Sequence, residues 1–142
     1  MVETADQYKK RLLSYVEGQE LMDVLARTPV RIEELMKSAS PEKLQKQTDG
    51  RWSAAQILAH YAEGEVVATY RAQMILSVNG VEIQAYDQDL WVGNSGFLIA
   101  RPELSFDMFR IMRKANLEML RSLRKEQWDN YGMHSERGKE SI

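Results

Sequence analysis

R-W-S-A-A-Q-I-L-A-H-Y-A-E-G-E-V-V-A-T-Y-R-A-Q-M-I-L, residues 51–76, reads as one long helix with a defined start. Ser53 is a good N-cap, and Gln56 three residues on gives the capping-box spacing. Trp52 precedes the cap, where a large apolar side chain fixes how the chain enters the helix. Ala54, Ile57, Leu58, Tyr61, Ala68, Ala72, Ile75 and Leu76 recur at three- and four-residue steps and form one apolar stripe. His60 lies roughly 100° off the centre of that stripe. Gln56, Glu63, Gly64 and Arg71 share its side, whereas Glu65 falls inside the stripe. One helix thus offers a core face, a polar flank carrying an imidazole, and an acid aimed inward.

Working outward, residues 5–13 read as a short helix ending near Gly18, and residues 20–26 add a turn or two. Thr28 and Pro29 occupy the positions favoured at an N-cap and a first helical residue. Ile32, Leu35 and Met36 continue a stripe, so the first bundle helix is predicted over residues 28–37. Ser40-Pro41 repeats the cap-then-proline signal for a short helix at residues 42–44, and Asp49-Gly50 reads as a turn. After the long helix, residues 80–101 are predicted to be irregular, with residues 81–83 the one extended piece. Tyr86, Trp91 and Phe97 are its anchors, either within a crossover loop over the bundle end or as the wall of a substrate pocket. A third long helix starts between Pro102 and Ser105 and runs to about Leu123. Gly132 and Gly138 mark turns in the tail, and no sheet of more than two short strands is expected.

The chain has 142 residues, 44% hydrophobic and 28% charged, with a formal net charge of −2 and no cysteine. That bounds it to one domain, 1–142, with a real core; the helical periods and the want of a sheet pattern make the class all-α. Weak acidity without a basic, aromatic-interleaved stripe argues against nucleic acid. No apolar run reaches the length of a membrane span. No signal-peptide core begins the chain, and the missing cysteines fit a cytoplasmic protein. They also exclude a cysteine nucleophile or a thiolate metal site.

The chain resembles the DinB-like superfamily of bacterial bundles, which includes YfiT-type metal-dependent hydrolases and bacillithiol transferases. The resemblance rests on L-A-R-T-P (25–29), R-W-S-A-A-Q-I-L-A-H-Y-A-E-G-E (51–65) followed by Arg71, Y-D-Q-D-L-W (86–91) and W-D-N-Y-G-M-H-S-E-R-G (128–138). It implies an up-down four-helix bundle with a long crossover between the second and third helices. It also implies a divalent transition metal (zinc, nickel or iron) held by one histidine of the second helix and an H-x-x-x-H pair of the fourth. His60 matches the first ligand. The chain ends where the fourth helix would begin and holds no H-x-x-x-H. His134 matches a histidine of the turn before that helix, so the site is expected to be incomplete.

Elementary chemistry sets the same limit, since a catalytic zinc-type centre takes about three protein ligands and an open position. Glu63, one turn from His60, and Asp87 and Asp89 from the crossover are the available carboxylates. Glu65 reads two ways: a structural partner of Arg113 or Tyr61, or a catalytic base or acid orienting an imidazole. Arg71 ties the crossover through Asp87 or a carbonyl, or holds an anionic small-molecule substrate together with Tyr86, Asp87 and Trp91. Two function classes follow. One is a metal-dependent hydrolase or thiol-transferase-like enzyme; the other is a metal-free binding or oligomerisation bundle. Three amphipathic helices without a fourth leave an apolar groove walled by Ile57, Tyr61, Ala68, Met112 and Leu120. Either a homodimer or residues 5–26 is expected to fill it.

Overall fold

The computed structural model describes residues 4–142, of which 67% are helical. The elements in order are α1 (Ala5–Ser14), α2 (Leu21–Lys37), α3 (Pro41–Gln45), α4 (Ala54–Ser77), β1 (Val81–Ile83), α5 (Gln88–Asn94), α6 (Gly96–Ile99), α7 (Pro102–Ser122), a 3-10 turn (Lys125–Asp129), β2 (Tyr131–His134) and β3 (Gly138–Ser141). None of the helices is long and apolar enough to cross a membrane among the described residues.

The expected capping box starts α4: the Gln56 amide donates to Ser53 Oγ at 3.2 Å, and the Ser53 amide to Gln56 Oε1 at 2.9 Å. Ala55, Ala59 and Ala62 are fully buried, and small side chains let α4 come close to its neighbours. Its principal partner is α7, which in turn packs on α2. Leu58 and Ala62 of α4 and Phe106 and Phe109 of α7 form the buried centre, with Ile32 and Met36 of α2 and Met108 of α7 packed against it. Burial of such side chains is worth about 1.5–3 kcal/mol each, so this seam holds the molecule together.

Three expectations are corrected. The first bundle helix starts at Leu21, and Pro29 lies inside it rather than at its first turn. Thr28 Oγ1 donates back to the Val24 carbonyl at 2.6 Å instead of capping an N-terminus, an alternative always open to a threonine hydroxyl. Next, residues 80–101 are ordered: β1 is followed by α5, capped by Asp87 through the amides of Asp89 and Leu90 at 2.9 and 3.0 Å, and then by α6. Tyr86 and Trp91 do anchor this segment, their rings 4.8 Å apart, but Phe97 is 65% exposed and anchors nothing.

The third correction is the sheet, which has three strands in the order β1-β2-β3. Val81–Ile83 pairs in parallel with Gly132–His134, and β2 pairs antiparallel with β3. Strands of three or four residues carry too little alternation to be read from sequence. Gly138 does turn the chain, at φ 72°. Gly132 does not; it sits inside β2, where a Cβ would lie 2.6 Å from Ile83 Cγ1 and still closer to Cδ1. Only glycine lets the two strands approach.

The expected groove is divided. Ile57 and Tyr61 face Ile32, Leu35 and Met36 of α2 across a cleft of about 340 Å³. Ala68 and Leu120 line a separate cavity of about 410 Å³ closed by Leu25 and by β3 and Ile142. Of residues 5–26, Leu25 contributes to closing the second cavity, whereas α1 is seated elsewhere. It rests instead on the β2–β3 turn, where Lys9 Nζ donates to the Arg137 carbonyl at 3.1 Å.

Candidate functional site

The polar flank of α4 runs His60, Glu63, Val67, Arg71, positions that fall on one side of a helix at 3.6 residues per turn. α5, α6 and the sheet cover this flank, so groups that a bare helix would expose to water are drawn inside. Glu63 is 7% exposed, and His60 is half-buried.

His60 packs edge-on against Trp52, ring centres 5.3 Å apart, and leans on Tyr61 at 6.2 Å. Its Nδ1 is buried and has no hydrogen-bond partner among the described residues. Burial lowers its pKa, against the opposing pull of the Glu63 and Asp89 charges, so the neutral ring with a bare nitrogen is favoured. One turn on, Glu63 Oε1 meets the hydroxyl of Ser95, at the junction of α5 and α6, while Oε2 is buried with no partner. Ser95 Oγ also lies 2.9 Å from the Trp91 carbonyl, and its single hydrogen serves one of these oxygens at a time. Two buried polar atoms on adjacent turns therefore lack partners among the described residues, a costly arrangement; with the His60 hydrogen on Nε2, both are acceptors that a ligand supplying a cation or N–H groups would satisfy.

Glu65 faces the other way. Its Oε1 accepts from Arg113 Nε and Nη2 at 2.8 and 2.5 Å, and its Oε2 from Asn116 Nδ2 at 2.8 Å. The structural partner read from the sequence, Arg113, is present, and neither oxygen is directed at His60. Arg71 reaches the crossover through a carbonyl, as one reading expected: Nη2 donates to the Gln84 oxygen at 2.9 Å. Its Cζ stands 5.7 Å from the Tyr86 ring centre, and together with Val67, Met74, Tyr86 and Trp91 it lines a cavity of about 310 Å³. Asp87 is exposed and occupied as the α5 cap. The structure thus brings Arg71, Tyr86 and Trp91 together and leaves Asp87 outside.

Sequence reasoning missed Ser95, which no local pattern marks, and the partnership of Arg71 with His134. His134 is 3% exposed, and its Nε2 lies 3.2 Å from Arg71 Nη2. The parallel pairing of β1 with β2 creates that contact across 63 residues.

For a metal, His60 and Glu63 supply one imidazole and one carboxylate, the donor types suited to zinc, nickel or iron. Among the described residues no group of three or more His, Cys, Asp or Glu is placed to hold an ion. The pair fits two positions of a coordination shell and does not complete one.

Comparison with known proteins agrees with the fold. No curated protein sequence matches the chain. A solved structure, YfiT from Bacillus subtilis, described as a probable metal-dependent hydrolase with an unusual four-helix bundle topology, superposes with a TM-score of 0.78 at 20% identity, covering 84% of this chain and 70% of that one. At that identity the likeness concerns the fold. The sequence model of the DinB superfamily matches residues 25–142, from within α2 through the last strand, and the chain belongs to the DinB superfamily.

Proposed function

We propose that the protein is a metal-dependent enzyme of DinB type, a hydrolase or a thiol-transferase-like catalyst, with its centre on the His60–Glu63 flank of α4. The observation that carries this reading is the pair of buried polar atoms without partners among the described residues, His60 Nδ1 and Glu63 Oε2. The description of YfiT as a probable metal-dependent hydrolase supports it. A divalent ion bound there would supply acidity to a coordinated water or thiol at neutral pH.

The chain's own residues would do the rest. Trp52 holds the imidazole plane from one side. Ser95 holds Glu63 Oε1 and so aims Oε2, the kind of outer support that orients a donor. Val92, 1% exposed, and Leu98, 3% exposed, anchor α5 and α6 and keep bulk water from that side of α4. Glu65 belongs to the α4–α7 seam in this reading, and its loss would act through folding.

The test is an assay of simple esters, amides and electrophilic thiol acceptors with protein loaded with Zn²⁺, Ni²⁺ or Fe²⁺. Turnover that requires the ion and falls at least about a hundredfold in His60→Ala, with helix content unchanged, supports the proposal. Turnover indifferent to chelator and to His60→Ala contradicts it, and no turnover with any of the three ions leaves the metal-free binding bundle as the better description.

A further inference from the structure

Arg71 sits in an environment with more hydrogen-bond donors than acceptors. Its guanidinium is partly buried, which with the Arg137 charge works against its own charge while the Glu140 charge opposes them, and no carboxylate among the described residues is hydrogen-bonded to it. Nη2 is committed to the Gln84 carbonyl; Nε and Nη1 have no acceptor among the described residues. The neighbouring cation, Arg137, is answered by Glu140 through two hydrogen bonds.

His134 adds a donor. Its Nδ1 accepts from the amides of Glu136 and Arg137 at 3.2 and 3.3 Å. Backbone amides only donate, so Nδ1 is bare and the neutral ring carries its hydrogen on Nε2. Burial and then the Arg137 charge lower the pKa of this histidine, which favours that neutral ring. Nε2 is 3.2 Å from Arg71 Nη2, which already donates to the Gln84 carbonyl, so the ring N–H faces another donor and has no acceptor among the described residues.

We propose that the cavity between α4, β1 and α5 binds a small organic carboxylate, its acid group seated on Arg71 and its apolar body against Val67, Met74 and Trp91. A carboxylate is planar and matches the guanidinium fork. A dianion such as phosphate fits less well, because the one guanidinium lining the cavity already feels the Glu140 charge and Glu82 also lines the cavity. The volume of about 310 Å³ is at the small end of ligand pockets, which suits one ring or a short aliphatic chain. The seat is three turns along α4 from His60, about 16 Å. It is therefore a second site, and its occupation does not depend on an ion at His60.

The experiment is a titration of isotope-labelled protein at neutral pH, following the Arg71 Nε–H and His134 ring resonances. The probes are benzoate, its neutral isostere benzamide, and inorganic phosphate. Saturable shifts are expected with benzoate, at least about tenfold weaker with benzamide or phosphate, since one charge-assisted hydrogen bond is worth that much. Arg71→Gln is expected to weaken benzoate at least about tenfold with the helical signal intact. Should that variant unfold, Trp91→Ala, on the half-exposed rim, is expected to weaken benzoate severalfold. The proposal is overturned by equal binding of benzoate and benzamide, by phosphate binding tighter than benzoate, by no saturation up to about 50 mM benzoate, or by undiminished binding in a folded Arg71→Gln or Trp91→Ala.

Discussion

Arg113 Nη1 donates to the carbonyl oxygen of Leu25 at 3.3 Å, the oxygen that would accept the amide of residue 29 in an unbroken helix. Residue 29 is proline and has no amide to give. The same guanidinium pairs with Glu65 of α4. One side chain of α7 therefore closes the gap in α2 and neutralises the acid buried on α4.

A helix-interior proline costs about 3 kcal/mol against alanine in a simple helix. Part of that is recovered here by Arg113. Pro29→Ala is expected to stabilise the protein by about 1–3 kcal/mol in urea denaturation. A loss of stability would show that the proline is needed where it stands.

Glu65→Ala leaves Arg113, whose side chain is 16% exposed, buried without its counter-charge, and Asn116 Nδ2 with only the backbone carbonyl of residue 65, at 3.3 Å, to accept from it. Breaking one half of a buried pair costs about 3–5 kcal/mol. Glu65→Ala with Arg113→Met should recover much of the loss. A single Glu65→Ala variant as stable as the parent would contradict the structural role.

How far the sequence could be read depends on the range of the signal. The α4 start was legible because Ser53 and Gln56 act within one turn, and α7 because its stripe repeats over 21 residues. Pro29 misled because a local rule met a long-range compensation from Arg113, 84 positions away. His60 and Glu63 were readable as neighbours on a flank. That the flank is buried was not, because α5 and α6 are short helices held by contacts such as Ser95 with Glu63 rather than by their own periodicity. The extended piece at residues 81–83 was expected and is β1, but β2 and β3 were missed for the same reason: the β1–β2 pairing rests on Gly132 fitting against Ile83.

Gly132→Ala places a methyl group where the Ile83 side chain lies. Overpacking of this kind costs about 1–3 kcal/mol, and trimming the neighbour, as Ile83→Val, should return part of it. Thermal denaturation of the single and double variants checks this. An unshifted melting temperature in Gly132→Ala would refute the close approach of β1 and β2.

Burial lowers the pKa of both His60 and His134. In the unfolded chain each titrates near about 6.5, so on acidification the unfolded state takes up protons first and the native state lags. This part of the stability is complete above that pH and is lost as the pH falls through the lower native values. Glu140 works in the same direction at more acidic pH. Burial alone would raise its pKa, but the Arg137 hydrogen bond and charge, together with the charges of His134 and Arg71, outweigh it and hold the pKa below the ordinary value. The urea midpoint should fall from about pH 7.5 to 5.5, and fall less when His60 is replaced by Phe. A midpoint that rises on acidification would contradict both burials.

The central claim is that His60 and Glu63 are donors awaiting a ligand, and metal uptake measures it most directly. Zn²⁺ and Ni²⁺ titrated calorimetrically into the metal-stripped protein should bind near one equivalent, with affinity reduced at least about tenfold in both His60→Ala and Glu63→Gln, as expected for loss of a coordinating group, while the helical signal stays unchanged. No uptake by the parent protein, or uptake that both folded variants retain in full, would contradict it.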